Sequence, residues 1–185
     1  MTEASVAGHT AIVGPLPLFE DVYAEHVDVV WRILRRLGVP PSDLEDSVQE
    51  VFIRAHRQLP GFEGRSSVKT WICGIATFVA RERARAQQRH PERRVADEEV
   101  IELADGRPGP DDLAARGEAL EMLGRLLEAL DPEKREVFVL ARIEELSGPE
   151  IAAALGIKLN TAYSRLRLAE AEIERALTRH HEAQR

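Results

Sequence analysis

The stretch "ELSGPEIAAALGIKLNTAYSRLRLAEAEI", residues 145–173, decides how the rest of the chain is read. Ser147 followed by Glu150 has the spacing of a capping box, in which each side chain satisfies an unpaired amide at a helix start. It heads a short helix, "PEIAAAL", whose small residues Ala152, Ala153 and Ala154 let a second helix cross closely. Gly156 suits the tight turn, and Asn160 or Thr161 is expected to cap the helix that follows. Ile151, Leu155, Ile157, Ala162 and Leu166 would pin the two helices together. On the second helix Ala162, Leu166, Ala169 and Ile173 share an inner face, leaving Tyr163, Ser164 and Arg167 outward and Arg165 at the margin. This is the layout of a helix-turn-helix, which carries such outward groups to base edges and phosphates. A plain helical hairpin with a solvated face has the same spacing, so the residues alone leave both readings open.

Glu170, Glu172 and Glu174 follow on the same helix, in a chain of formal net charge −7. At the α-helical rise Glu170 lies about 9 Å along the axis from Ser164, and Glu174 about 15 Å. Those separations are about one Debye length or more at physiological salt. Glu170 is also spaced to pair with Arg167. Reading at the front of the helix is therefore compatible with the carboxylates, whereas strong unaided phosphate affinity is not.

The charge is unevenly spread. Residues 16–95 hold 13 Lys/Arg against 11 Asp/Glu, residues 96–112 hold 1 against 7, and residues 113–185 hold 11 against 13. The acidity thus sits in a short middle stretch between near-neutral halves. Its sequence, "ERRVADEEVIELADGRPGPDD" over residues 92–112, is charged and interrupted by Gly and Pro, and is expected to be a flexible linker.

Both halves read as helical. Phe19, Val22, Tyr23, His26, Val27, Val30, Trp31, Leu34 and Leu37 form one stripe, stopped by Gly38 and the prolines of "LGVPPSD". Ser42 with Glu45 is expected to cap a second helix, striped by Leu44, Val48, Val51, Phe52, Ala55 and Leu59. After the break "LPGFEGRSS" comes a third, with Val68, Trp71, Ile72, Ile75, Ala76 and Val79 packing and a basic end, "RERARAQQRHPERR". Beyond the linker, Leu120, Leu123, Leu127 and Leu130 mark one helix face, and Pro132 opens the next helix. No stretch alternates with the period of a strand. The expected architecture is all-α: a disordered 1–15, a helical domain over 16–91, the linker, a helix-turn-helix domain over 113–178, and a frayed tail over 179–185.

Several functions are disfavoured. No apolar run approaches the roughly 18 residues of a membrane span, and the N-terminus lacks the pattern of a signal peptide. The single cysteine, Cys73, has no disulfide partner, and no Cys/His cluster has metal spacing. Neither a nucleophile–base pairing nor a glycine-rich phosphate loop is present, so no catalytic residue, metal or cofactor is expected. His26 and Cys73 read as packed residues, His56 and His90 as surface ones. A reduced, cytoplasmic, non-enzymatic protein fits these observations.

The segment "ALDPEKREVFVLARIEELSGPEIAAALGIKLNTAYSRLRLA" resembles the promoter-distal domain of bacterial RNA polymerase sigma factors, especially the extracytoplasmic-function (ECF) group. Independently, "LEDSVQEVFIRAHRQLPGF" and "SSVKTWICGIA" resemble that group's other domain. The matches cover about residues 19–90 and 117–177, in the family's order. The resemblance implies that Asp46, Gln49 and Glu50 dock on core RNA polymerase. It implies minus-ten element contacts from Arg65, Ser66, Ser67 and Lys69, which capture an unstacked base, with Arg81, Arg83, Arg85 and Arg89 along the backbone. Lys158, Thr161, Tyr163, Ser164, Arg165 and Arg167 fall on the part that reads the minus-thirty-five element. The partners implied are core polymerase, promoter DNA and an anti-sigma factor. Phe78, Glu82, Ala86, Tyr163, Leu168 and Glu170 depart from the family's pattern, at positions that bear on DNA reading. Two other roles suit the same residues: a decoy that binds an anti-sigma factor without reading promoters, and an independent helix-turn-helix regulator.

Overall fold

The computed structural model describes residues 16–89, 120 and 122–183. The expected disordered N-terminus and the acidic 92–112 stretch lie outside the described residues, as does His90. No strand occurs among the described residues.

Helix α1 (Phe19–Arg36) buries Val22, Val29, Val30, Ile33 and Leu34. It packs against both α2 (Pro41–Gln58) and α3 (Val68–Arg89), so its buried arc is wider than a single stripe and centred off Tyr23. Tyr23 instead lies half-exposed on Phe52, ring centroids 4.6 Å apart. Gly38 ends α1 with φ of +87°, its N–H donating to Arg35 O while that of Val39 donates to Leu34 O at 3.0 Å. This paired closure needs a left-handed residue, which glycine supplies without strain.

Helix α2 starts on Pro41, with Pro40 as its cap residue, so Ser42 does not take the expected N-cap role. Proline already has the helical φ and needs no amide partner at the first position, which draws Ser42 into the first turn. The cap that does form was not anticipated: Ser67 Oγ accepts from Thr70 N–H at 3.1 Å at the start of α3. Helix α3 is buried around most of its circumference, by Thr70, Ile72, Cys73, Ile75, Ala76, Thr77, Val79 and Ala80, because three helices surround it.

In the second half, α4 (residues 122–128) and the turn after it place Leu127 and Leu130 in the core, while Leu120 is exposed. Helix α5 (Pro132–Phe138) opens on Pro132 and is capped by Asp131, whose side chain accepts from Glu133 N–H. Its C-terminal end widens into a π-turn, Val139–Ile143. Helix α6 (Gly148–Leu155) carries the expected Ser147–Glu150 capping box. Gly156 closes it at φ of +64°, with Ile157 N–H donating to Ala152 O at 3.0 Å. Helix α7 (Leu159–Ala183) begins before Asn160 and Thr161, which lie in its first turn rather than capping it. It also continues through residues expected to fray.

The two lobes pack together. Their buried apolar residues form one cluster, running from Val30 and Leu34 through Ile72 and Cys73 to Leu140, Leu146 and Ile151. Helices α3 and α6 meet so closely that a Cβ on Gly74 would stand 2.7 Å from the Ala154 carbonyl oxygen. The alanines expected to admit α7 thus also admit α3.

Candidate functional site

The expected reading surface is built as the apolar spacing dictates. Ala162 and Ala169 are fully buried and Leu166 and Ile173 pack partly against the core, while Tyr163, Ser164 and Arg167 are exposed. Lys158 is exposed in the turn, and Thr161 is half-buried. Arg165 sits at the margin and pairs with Glu133 at the start of α5. Tyr163 lies over the N-terminal end of α6, across Gly148.

Two of the three carboxylates behind this surface tie α7 to α5 and its π-turn. Glu170 pairs with Arg142, not with Arg167, and Glu172 with Lys134 at 2.7 Å. An arginine three residues away on the same helix is outcompeted by one presented from across the interface.

On α2, Asp46 and Gln49 are exposed, opposite the buried stripe. Glu50 is half-buried and accepts from Arg54 Nε at 2.6 Å; Arg54 also pairs with Glu82 at 2.6 Å and lies 5.1 Å from the Phe78 ring centroid. Phe78, at 48% exposure, is thus covered by a guanidinium rather than packed in the core.

The remaining expected DNA residues do not act as one group. Arg65 is exposed and pairs with Glu63; Ser66 is half-buried beside it. Ser67 caps α3, and Thr70, bonded to it, donates to Glu150 of the second lobe. Lys69 Nζ donates to the Glu144 carbonyl oxygen at 2.7 Å, and Arg81 grips Glu136 through two bonds of 2.5 Å. Arg32 makes the matching fork to Glu144, at 3.0 and 2.9 Å. Glu136 and Glu144 are buried, so each carboxylate of the second lobe is desolvated and held by an arginine of the first. Glu136 lies on α5 and Glu144 just after the π-turn, where its N–H donates to Val139 O, five residues back. Glu144 and Glu136 escaped sequence reading because two glutamates on a polar face carry no signal of burial. Arg83 and Arg85 make no ion pair among the described residues, and Arg89 is exposed.

Between α2, α3 and α6 lies a cleft of about 340 Å³ lined by Arg54, Ser66, Trp71, Phe78 and Ala154. Trp71 packs on Phe62 at 5.0 Å between ring centroids and partly against the core. The second lobe supplies one wall of this cleft. Among the described residues no His/Cys/Asp/Glu group could hold a metal ion, and no helix is long and apolar enough to cross a membrane. His26 is half-buried, and desolvation holds its pKa below the ordinary imidazole value. Cys73 is fully buried.

Two family models match the chain: Sigma-70 region 2 over residues 22–90 and Sigma-70 region 4 over residues 120–173. The RNA polymerase sigma factor NccH of Alcaligenes xylosoxydans xylosoxydans is 32% identical over 178 residues, covering 94% of this chain and 95% of that one. The chain belongs to the ECF sigma factors. The ECF RNA polymerase sigma-E factor of Escherichia coli is 33% identical to this sigma factor over 136 residues, 69% of this chain and 70% of that one. Among solved structures, CnrH in complex with the cytosolic domain of CnrY is 27% identical, with a TM-score of 0.64, covering 86% of this chain and 87% of CnrH. As an ECF sigma factor, the protein directs RNA polymerase to promoters, with α1–α3 largely in the region 2 match and α4–α7 largely in that of region 4.

Proposed function

We propose that this sigma factor docks on core polymerase through Asp46, Gln49 and Glu50, and reads the minus-thirty-five element with Lys158 and the first turns of α7. Thr161 and Arg165 support that surface, while Tyr163, Ser164 and Arg167 face DNA. Exposure of those three side chains above a buried alanine face is the observation that carries the reading. Polymerase supplies most of the electrostatic grip, which is how a chain of net charge −7 works on DNA. The first lobe contributes Arg65, Ser66, Ser67, Lys69, Arg81, Arg83 and Arg85 to minus-ten binding and melting. Lys69 and Arg81 are held by the second lobe here, so engaging DNA with them requires the lobes to part. The protein acts beside polymerase in the cytoplasm, as a specificity subunit and without catalysis of its own.

In vitro transcription from a randomised promoter library with core polymerase tests the assignment. Selection of paired promoter elements is expected, weakened by Arg167→Glu. Arg167 is a cleaner probe than Arg165, whose reversal would also break its pair with Glu133. Failure to bind core polymerase would sink the reading.

The closed arrangement favours one addition. CnrH, of similar fold, is seen with a cytosolic partner domain, and a partner of that type that prefers joined lobes would hold this sigma factor inactive. If Arg167→Glu leaves transcription unchanged while such a partner still binds, the decoy role replaces promoter reading.

A further inference from the structure

Gly148 is the first residue of α6 and has ordinary helical backbone, a place where glycine offers no conformational advantage. What the missing side chain provides is room. A Cβ at this position would stand 2.5 Å from Cε1 of Tyr163, 2.6 Å from Cζ and 2.7 Å from the hydroxyl oxygen. The ring therefore lies across the start of α6 and is still 50% exposed. The nearby Glu150 carboxylate is engaged: Oε2 accepts from Ser147 N–H and Oγ, and Oε1 from Thr70.

In a helix-turn-helix the first helix crosses the sugar–phosphate backbone while the second enters the major groove. A tyrosine rooted on the second and lying on the N-terminus of the first has its hydroxyl at the boundary between the two. We propose that Gly148 is a positioning residue for the minus-thirty-five contact. It lets Tyr163 lie over α6 and present its hydroxyl, a neutral donor, to a backbone oxygen of the element. This rests on the reading of α7 as the DNA-facing helix. A neutral donor fixes register without adding a counterion to be released, so it contributes little to salt dependence.

A double-mutant cycle in the reconstituted holoenzyme tests the proposal, using a promoter selected from the randomised library and affinity measured across salt concentrations. The atoms that Gly148→Ala would crowd belong to the free end of a side chain, so the ring swings aside and the variant keeps its helical circular dichroism. Gly148→Ala is expected to weaken promoter binding about two- to tenfold, the net value of one hydrogen bond. The slope of log affinity against log salt should stay unchanged, and Tyr163→Phe should reproduce the loss. In a Tyr163→Ala background, Gly148→Ala should have no further effect. An undiminished effect in that background, an altered salt slope, or unchanged binding by Gly148→Ala would each overturn the proposal. Arg167→Glu serves as the control: if it too leaves binding unchanged, the DNA-facing reading of α7 has failed instead.

Discussion

Cys73 shows how one buried position takes its chemistry from its surroundings. Burial, with the negative charge of Glu144 next, pushes the thiol up to about 12. Since the thiolate is the reactive form, the folded protein at pH 8 should resist a thiol-specific disulfide reagent. Labelling should appear only at the rate of unfolding; rapid stoichiometric reaction in native buffer would contradict this burial. Glu150 is shifted the other way: hydrogen bonds from Ser147, side chain and backbone, hold its carboxyl below the ordinary range, with Thr70 and Lys69 assisting. A depressed carboxyl stabilises the fold above its unfolded pKa, and that contribution is lost as pH falls through the folded value. Urea midpoints should therefore decline less between pH 7 and pH 3 in Glu150→Gln than in the parent, and equal declines would refute the linkage. The capping box was legible from Ser147 and Glu150 alone because both partners lie within one turn. The Thr70 bond was not, since it comes from 80 residues away.

At the scale of elements, local signals worked where the partner is local. Pro132, Gly38 and Gly156 set helix starts and stops through their own backbone constraints, and all three do so here. The expected Ser42 cap failed because Pro41, one residue earlier, is the stronger local signal. The α3–α6 crossing has no local signature, as Gly74 sits within a helix where alanine would be the better former. It is explained only by the Ala154 carbonyl oxygen against it. Gly74→Ala would drive a methyl group into backbone that cannot swing aside, and should destabilise by about 1–3 kcal/mol, the usual cost of overpacking. Chemical denaturation measures this directly; a neutral or stabilising result would mean the helices do not meet as closely as described.

Across the whole molecule, the lobes are joined by a shared core and by the Arg32–Glu144 and Arg81–Glu136 forks. Glu144 is 1% exposed, so Arg32→Ala leaves a buried carboxylate without its guanidinium. Removing one partner of a fully buried pair costs about 3–5 kcal/mol, and the cost is smaller here because the Arg32 side chain is 43% exposed. The lobes can avoid that cost by separating and rehydrating the carboxylate. Arg32→Ala should accordingly raise the radius of gyration in small-angle scattering, and an unchanged radius together with unchanged stability would refute the clasp. The charge pattern fits this closure: two near-neutral lobes can meet without strong repulsion.

The amino-acid sequence by itself determined the all-α class, the two helical halves and the outward face of α7. These follow from periodicity and from turn residues acting within a few positions. Which cations are taken up by partners within the fold was decided by tertiary structure alone. Lys69, Arg81 and Arg165 look like solvated charges in the sequence, yet each is engaged by the α5–α6 segment, from 32 residues away in the case of Arg165. A carboxylate's choice of partner depends on which charge packing brings within hydrogen-bond reach, and sequence spacing reports that only along a single helix. For the same reason Glu170, expected beside Arg167, is held by Arg142.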